Sequence, residues 1–348
     1  MLSARFKVAG QPFSVEEVEI PKIAEDDVLV EVKAAGICGS DVHYAHGEFS
    51  TDVVPLTLGH EGAGVVKEVG KNVHNPRVGD RVAVHYVISC GHCRPCLQGY
   101  DNRCRNRLSI GHSVDGVLAQ FAAIPAANAI KIADNISFEQ AAITGCGVST
   151  AYHAMNVSGL NKGDTVVVFG LGGVGLHAVM WAKFDGAGKI IAVDPVESKH
   201  DTARKYGADI VVNPLKTDVP KLIMNETDGW GVDVAVECSG SSRAMEQAIR
   251  SIKGKNQFDS GTLVSVGLQT KPFRCEYWNF REGWLTVSGD HTKNELQEIL
   301  SLIETGKVDL SSSITHRIPL REINRGIELL ESNKERVGRV VVDMAKLT

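Results

Sequence analysis

The chain has 348 residues, 43% hydrophobic and 23% charged, with 37 Lys and Arg against 42 Asp and Glu for a formal net charge of −5. That length exceeds what one hydrophobic core ordinarily serves, so two domains are expected, and the even composition excludes collagen, coiled coil and general disorder. No basic block is present to neutralise phosphates, which excludes nucleic acid as a partner class, and the longest charge-free apolar run, 166–182, is short for a bilayer span.

The first ten residues have the basic, acid-free flavour of a targeting peptide, but FSVEEVEIPKI follows at once with strand-like alternation and acidic side chains. A cytoplasmic location is therefore expected. Residues 1 to about 150 carry short β-branched runs, DVLVEVKAAGI, AGVVKEVG and DRVAVHYVI, punctuated by glycine. They predict a largely antiparallel β domain with irregular lobes. In one such lobe, CGHCRPCLQGYDNRC, sit Cys90, Cys93, Cys96 and Cys104. A chain of this size folds without disulfide staples, and in a reducing compartment such a cluster reads as a metal site. Its spacing departs from the bacterial ferredoxin run, so a structural zinc closed by four thiolates is expected. Cys38, His60 and Cys146 form a second, dispersed set. Three protein ligands would leave a position on a second zinc open for water or substrate.

From about Ala151 the runs TVVVFG, KIIAVD, DIVVN, VDVAVEC and GTLVSVG alternate with helical stretches, among them GLHAVMWAKFDG, VESKHDTARKYG and SSRAMEQAIRSI. Strand and helix in alternation predict a parallel sheet covered on both faces. TVVVFGLGGVGLHAV places Gly170, Gly172 and Gly175 in the GxGxxG spacing, directly after an apolar strand and at the start of an apolar helix. In that context Gly170, Gly172, Gly173, Val174 and Gly175 are expected to cradle a dinucleotide pyrophosphate. Asp194, ending KIIAVD, is placed to accept hydrogen bonds from the adenosine ribose, which favours NAD because a 2′-phosphate would meet like charge. Lys199 could reach the same ribose. After about Gly289 two helical segments flank a strand-like SSSITHRIPL, and RVGRVVVDM ends the chain. This tail is expected to rejoin the first domain, giving 1–150 with 290–348 as one domain and 151–289 as the other.

The segments GICGSDVH, TLGHEGAGVV, the four-cysteine lobe, TGCGVSTAYHA and GLGGVG occur in the order found in the zinc-containing medium-chain alcohol dehydrogenases. The chain resembles that family from end to end, and its ICGSDVHY string is also similar to sorbitol-type polyol dehydrogenases. The resemblance implies an α/β protein: a Rossmann doubly wound parallel sheet plus a mainly β GroES-like catalytic domain with a structural zinc lobe. It makes Cys38, His60 and Cys146 the catalytic zinc ligands and Glu61 a carboxylate able to approach the metal during ligand exchange. Asp41 fits the carboxylate that orients the histidine ligand. Ser40 and His43 match a proton relay running from hydroxyl to cofactor ribose to imidazole. Arg339 matches a residue on the cofactor pyrophosphate, whereas Gly39 stands where some members carry a cation. Phe49 and Tyr86 occupy places expected to line the substrate pocket.

The implied activity is hydride transfer between a primary or secondary alcohol and NAD+, giving aldehyde or ketone, with two zinc ions per chain. Polyol members often carry Glu where this chain has Cys146, so the alcohol branch is favoured over a polyol or sugar dehydrogenase. A non-catalytic nucleotide-binding or redox-sensing relative would be expected to lack one of the three ligands. A homo-oligomer is also implied, a tetramer rather than a dimer, paired through the strand edge formed by GTLVSVG and the following YWNFREGWLTVSG.

Overall fold

The computed structural model describes residues 1–49, 51, 53–253, 260–276, 283–332 and 337–346. The chain divides into two units, Met1–Ser149 with Asp290–Thr348, and Thr150–Gly289. Among the described residues the first unit opens with the strands β1 (Leu2–Phe6), β2 (Ser14–Glu17), β3 (Asp27–Ile37), β4 (Leu56–Thr57), β5 (Glu61–Val69), β6 (Arg81–Val84), β7 (Val87–Ile88), β8 (Leu108–Ser109), β9 (Phe121–Pro125) and β10 (Ala129–Lys131). Helix α1 (Gly39–Ala45) follows β3, and the single turn α2 (Arg94–Leu97) lies in the cysteine lobe. Helix α3 (Phe138–Ile143) then runs directly into a π-helical turn, Thr144–Val148. Such turns are uncommon and occur often at functional sites.

In the second unit, reached through α4 (Ser149–Ser158), come β11 (Thr165–Phe169), α5 (Gly173–Phe184), β12 (Lys189–Val193), α6 (His200–Tyr206), β13 (Ile210–Val212), α7 (Val219–Glu226), β14 (Val234–Glu237), α8 (Ser242–Ile249), β15 (Thr262–Ser265) and β16 (Trp284–Val287). Every strand pair is parallel, in the order β13-β12-β11-β14-β15-β16. The order reverses between β11 and β14, which is the switch point where doubly wound sheets bind ligands at their strands' carboxyl ends. Val166, Val167, Val168 and Phe169 are all buried because helices cover both faces, and this explains the unbroken apolar run. The expected edge is present as β16, with Trp284 and Val287 exposed; 277–282 of the same segment lie outside the described residues.

The chain returns to the first unit as α9 (Lys293–Glu304), β17 (Ile314–Ile318), α10 (Ile323–Ser332) and β18 (Arg339–Asp343). The main sheet there runs β10-β6-β5-β3-β18-β17, with β9 also on β3. Strand β3 is long enough to take two partners along one edge, β9 at Asp27–Glu31 and β18 at Ala34–Ile37, while β5 pairs along the other. Its carboxyl end is thereby held on both sides. Cys38 begins where that strand stops.

Candidate active site

Four local devices bring the dispersed candidate ligands of the first unit together. Cys38 caps α1, and the Asp41 carboxylate accepts from the Cys38 backbone N–H at 2.9 Å, fixing the turn. Glu61 opens β5, with His60 immediately before it, and pairs with Gly36 of β3; a Cβ at residue 36 would run into the Glu61 carboxylate. Cys146 projects from the π-helical turn. Arg339, the first residue of β18, donates to Glu61, and the pair is almost fully buried. Gly147 N–H donates to the other Glu61 oxygen at 3.3 Å.

The ligand atoms of Cys38, His60, Glu61 and Cys146 all lie within 4.8 Å of one another. The Cys38 and Cys146 sulfurs stand 3.9 Å apart. Two thiolates at tetrahedral positions ~2.3 Å from a zinc would be about 3.8 Å apart, so the donor set and its spacing fit that ion. A hydrogen bond from Cys146, aided by His60, holds the Cys38 thiol well below the usual cysteine range. The same bond, with burial, pushes Cys146 well above it. Burial pulls the His60 imidazole down, but the Cys38 sulfur and neighbouring carboxylates outweigh it and raise it to about 9. A bound metal replaces the protons held here.

In the lobe, Cys90, Cys93, Cys96 and Cys104 likewise bring their sulfurs within 4.8 Å of one another, and none is in a disulfide. Cys93 lies 3.4 Å from Cys96 and 3.9 Å from Cys104. The backbone N–H of Cys96 leads the interactions that lower Cys93 to about 6, and that of His92 leads those that lower Cys90. Backbone donors aimed at sulfur favour thiolate, the form that binds metal.

In the second unit Gly170 adopts φ 86°, a left-handed turn that glycine supplies without strain. Gly172 caps α5, no side chain caps that helix end, and a Cβ at residue 172 would enter open space. A Cβ at residue 175 would collide with the Gly170 carbonyl, so helix and strand pack as the third glycine requires. Asp194 is buried and accepts from Leu171 N–H and Val196 N–H, each at 2.7 Å, so it also ties the glycine turn to the end of β12. Lys199 Nζ stands 3.7 Å from it. A carboxylate with two bonds made still has acceptor capacity for ribose hydroxyls.

The comparisons with known proteins bear on both units. The family model described as "Alcohol dehydrogenase GroES-like domain" matches residues 24–134, and that described as "Zinc-binding dehydrogenase" matches 173–305. An alcohol dehydrogenase of Geobacillus stearothermophilus is 38% identical over 318 residues, covering 90% of this chain and 91% of its own. The chain belongs to the zinc-containing medium-chain alcohol dehydrogenases. An L-threonine 3-dehydrogenase of Caldanaerobacter subterraneus subsp. tengcongensis is 35% identical over 93% of each chain. A zinc-binding dehydrogenase from Sinorhizobium meliloti 1021, solved bound to NADP, superposes with a TM-score of 0.88 at 32% identity, covering 98% of each chain.

Against that family's pattern, several side chains have partners that the sequence did not suggest. Asp41, pushed up to about 6 by burial, has one oxygen on Cys38 N–H and the other without a partner. The His60 ring instead shares a hydrogen bond with His112, Nδ1 to Nε2, at 3.1 Å. Arg339 is buried against Glu61, and its Nε has no partner. Ser40 Oγ is buried and has no partner, while His43 Nδ1 pairs with Glu48. Phe49 packs on His43 and Tyr44, at ring separations of 4.9 and 5.6 Å. The Tyr86 ring lies 5.0 Å from that of His60, and its hydroxyl donates to Asp290 at 2.5 Å. Asp290 in turn pairs with Arg107. His112, Asp290 and Arg107 carried no signal in the sequence, because nothing in GHSVDG, SGDH or NRL marks a partner elsewhere.

Proposed function

We propose that the protein transfers a hydride between a primary or secondary alcohol and NAD+, giving an aldehyde or ketone. The observation that carries this reading is the convergence of Cys38, His60 and Cys146 on one buried point, with Ser40, two residues on from Cys38, keeping a buried hydroxyl without a partner. Cys38, His60 and Cys146 would hold the catalytic zinc, and Cys90, Cys93, Cys96 and Cys104 a structural one, two per chain. Zinc in the first site supplies Lewis acidity that lowers the pKa of an alcohol hydroxyl, and NAD+ supplies the hydride acceptor. Ser40 Oγ takes the alcohol's hydrogen bond. His43, about one-third exposed and oriented by Glu48, passes the proton towards solvent. Glu61 is kept beside the ligands by Arg339 and Gly147, near enough to serve during ligand exchange. Phe49 and Tyr86 form the apolar side of the substrate site.

Gly170, Gly172, Gly173, Val174 and Gly175 present the uncapped start of α5 to the pyrophosphate, and Arg339 Nε offers a further donor. Asp194 selects NAD over NADP through like-charge repulsion of a 2′-phosphate, and Lys199 assists at the ribose. The protein assembles as a homo-oligomer, a tetramer, through the exposed apolar edge of β16, and works in the cytoplasm, where free thiols persist. Among the described residues no helix is long and apolar enough to cross a membrane.

The test is NADH formation at 340 nm from NAD+ across simple, aromatic and polyhydroxylated alcohols, with the zinc-replete wild type beside Cys146→Ala. Turnover in the wild type and its loss in the variant, with NAD binding retained, are expected. A variant with normal turnover would refute the site.

A further inference from the structure

The turn that carries His112 is built against the residue before His60. Gly111 stands at φ 77°, and its N–H donates to the Val114 carbonyl at 2.8 Å. A Cβ at residue 111 would fall 2.3 Å from the Gly59 carbonyl oxygen, and one at residue 116 would fall 2.1 Å from the same atom. Glycine at both positions is what lets the two backbones touch, and Val117 N–H then donates to the Gly59 carbonyl at 2.9 Å. The Ser109 carbonyl accepts from the N–H groups of His112 and Ser113 at 3.1 and 2.8 Å, and the Thr51 hydroxyl donates to the His112 carbonyl at 3.2 Å. On this fixed backbone the His112 ring lies 4.7 Å from that of His60 and 5.2 Å from that of Tyr44, and its Nε2 meets His60 Nδ1 at 3.1 Å. Asp41 gives one oxygen to Cys38 N–H and its other is buried without a partner, so its carboxylate does not hold the His60 ring.

We infer that His112 is a positioning residue for the catalytic metal, its imidazole fixing the His60 ring in place of the Asp41 carboxylate that the family's pattern suggests. A ring nitrogen engaged in a hydrogen bond is not free to bind a metal, so with Nδ1 on His112 it is His60 Nε2 that is left for the ion. Nδ1 then keeps its hydrogen and donates it, and His112 accepts through Nε2. The centre already gathers two cysteines and Glu61. A neutral acceptor orients His60 without adding a further negative charge there, whereas a carboxylate in the same place would raise the basicity of the ligand. This inference rests on the proposed zinc site and supplies the partner of one of its ligands.

The test is equilibrium competition for zinc between the zinc-loaded protein and a colorimetric chelator at about pH 8, where an imidazole of ordinary pKa is neutral. The zinc that Cys146→Ala fails to hold belongs to the catalytic centre, and the lobe zinc in the same sample is the reference for folding. His112→Phe keeps an aromatic ring and removes the acceptor. It should weaken the catalytic-centre zinc by about tenfold or more, the scale of losing a ligand's hydrogen-bond partner, and leave the lobe zinc unchanged. His112→Gln, whose side-chain carbonyl can accept, should recover most of that loss. Asp41→Asn keeps an acceptor for Cys38 N–H and should change the affinity by less than about threefold. Unchanged zinc affinity in His112→Phe, equal weakening of both zincs, no recovery in His112→Gln, or an effect of Asp41→Asn as large as that of His112→Phe overturns the inference and leaves the dehydrogenase reading standing. A wild type that holds zinc only in the lobe overturns both.

Discussion

Removing Arg339 should cost less than removing its partner Glu61, and the difference should depend on pH. The guanidinium is 4% exposed and the carboxylate 0%, so either single substitution leaves a buried group without its counter-charge. Breaking such a pair ordinarily costs about 3–5 kcal/mol. The two survivors are not equivalent. A carboxylate can escape by taking a proton, whereas a guanidinium cannot lose one in a protein. Burial already raises Glu61 to about 7 from 4.5, with Arg339 the leading influence holding it down. Protonating an ordinary carboxylate at pH 7 costs about 3 kcal/mol, which caps the penalty of Arg339→Met there. Because the folded pKa is raised, the Glu61 contribution is complete below about 4.5 and is lost as pH rises through 7 and above. Loss of Arg339 pushes that pKa higher still, so its cost should be about 1 kcal/mol or less at pH 5 and grow towards pH 8. Glu61→Gln should cost about 3–5 kcal/mol from about pH 7 upward, where Glu61 ionises, and less towards pH 5, where a carboxyl raised to about 7 already carries its proton, and the double variant at pH 7 should recover at least about 1.5 kcal/mol of the two single costs. All four tryptophans lie between residues 150 and 289, so their emission does not report on this pair. Hydrogen exchange of β3 and β18 amides in zinc-replete protein does. Equal costs for the two single variants at pH 7, or additivity in the double variant there, would refute the reasoning.

Asp194→Ala should relax the proposed preference for NAD over NADP and raise KM for NAD, since the carboxylate holds Leu171 N–H and, on the proposed reading, repels a 2′-phosphate; unchanged cofactor kinetics would count against both roles. Cys104→Ser should release one zinc per chain and lower Tm, read by metal analysis and calorimetry, since structural zinc contributes directly to folding. Thr292→Ala removes one half of the capping box with Glu295 at the start of α9 and should cost about 1 kcal/mol in urea unfolding; a change under a few tenths would show the cap to be idle. Acidification should release zinc from both sites as thiolates and imidazole take up protons, so metal-dependent stability falls with pH, and a chelator-monitored titration without release down to pH 4 would contradict the ligand assignment.

Legibility in the sequence followed distance along the chain. The glycine turn and the cysteine lobe could be read because each is written in one short stretch, and the turn's neighbours, TVVVF before it and GLHAV after, already dictate strand and helix. The doubly wound sheet was legible for the same reason, as its strands are buried on both faces and read as unbroken apolar runs. The candidate ligand set Cys38, His60 and Cys146 was visible as chemistry, but its convergence depends on β3 being clamped between β5 and β18 and on a π-helical turn, neither of which has a local signature. The Tyr86–Asp290 and Arg107–Asp290 contacts span 204 and 183 residues, and each of those side chains, read alone, is an ordinary surface or core residue. His112 at His60 was hidden in the same way. What sequence pattern misses here is pairing between remote polar groups, which hydrophobic periodicity does not encode.

Anomalous scattering at the zinc edge from crystals of the purified protein would decide whether two metal centres exist. Two peaks per chain are predicted, one enclosed by Cys90, Cys93, Cys96 and Cys104, the other bounded by Cys38, His60 and Cys146 with one position facing Ser40. A single peak in the lobe, with Cys38 and Cys146 bare or joined as a disulfide, would contradict the proposed catalytic centre.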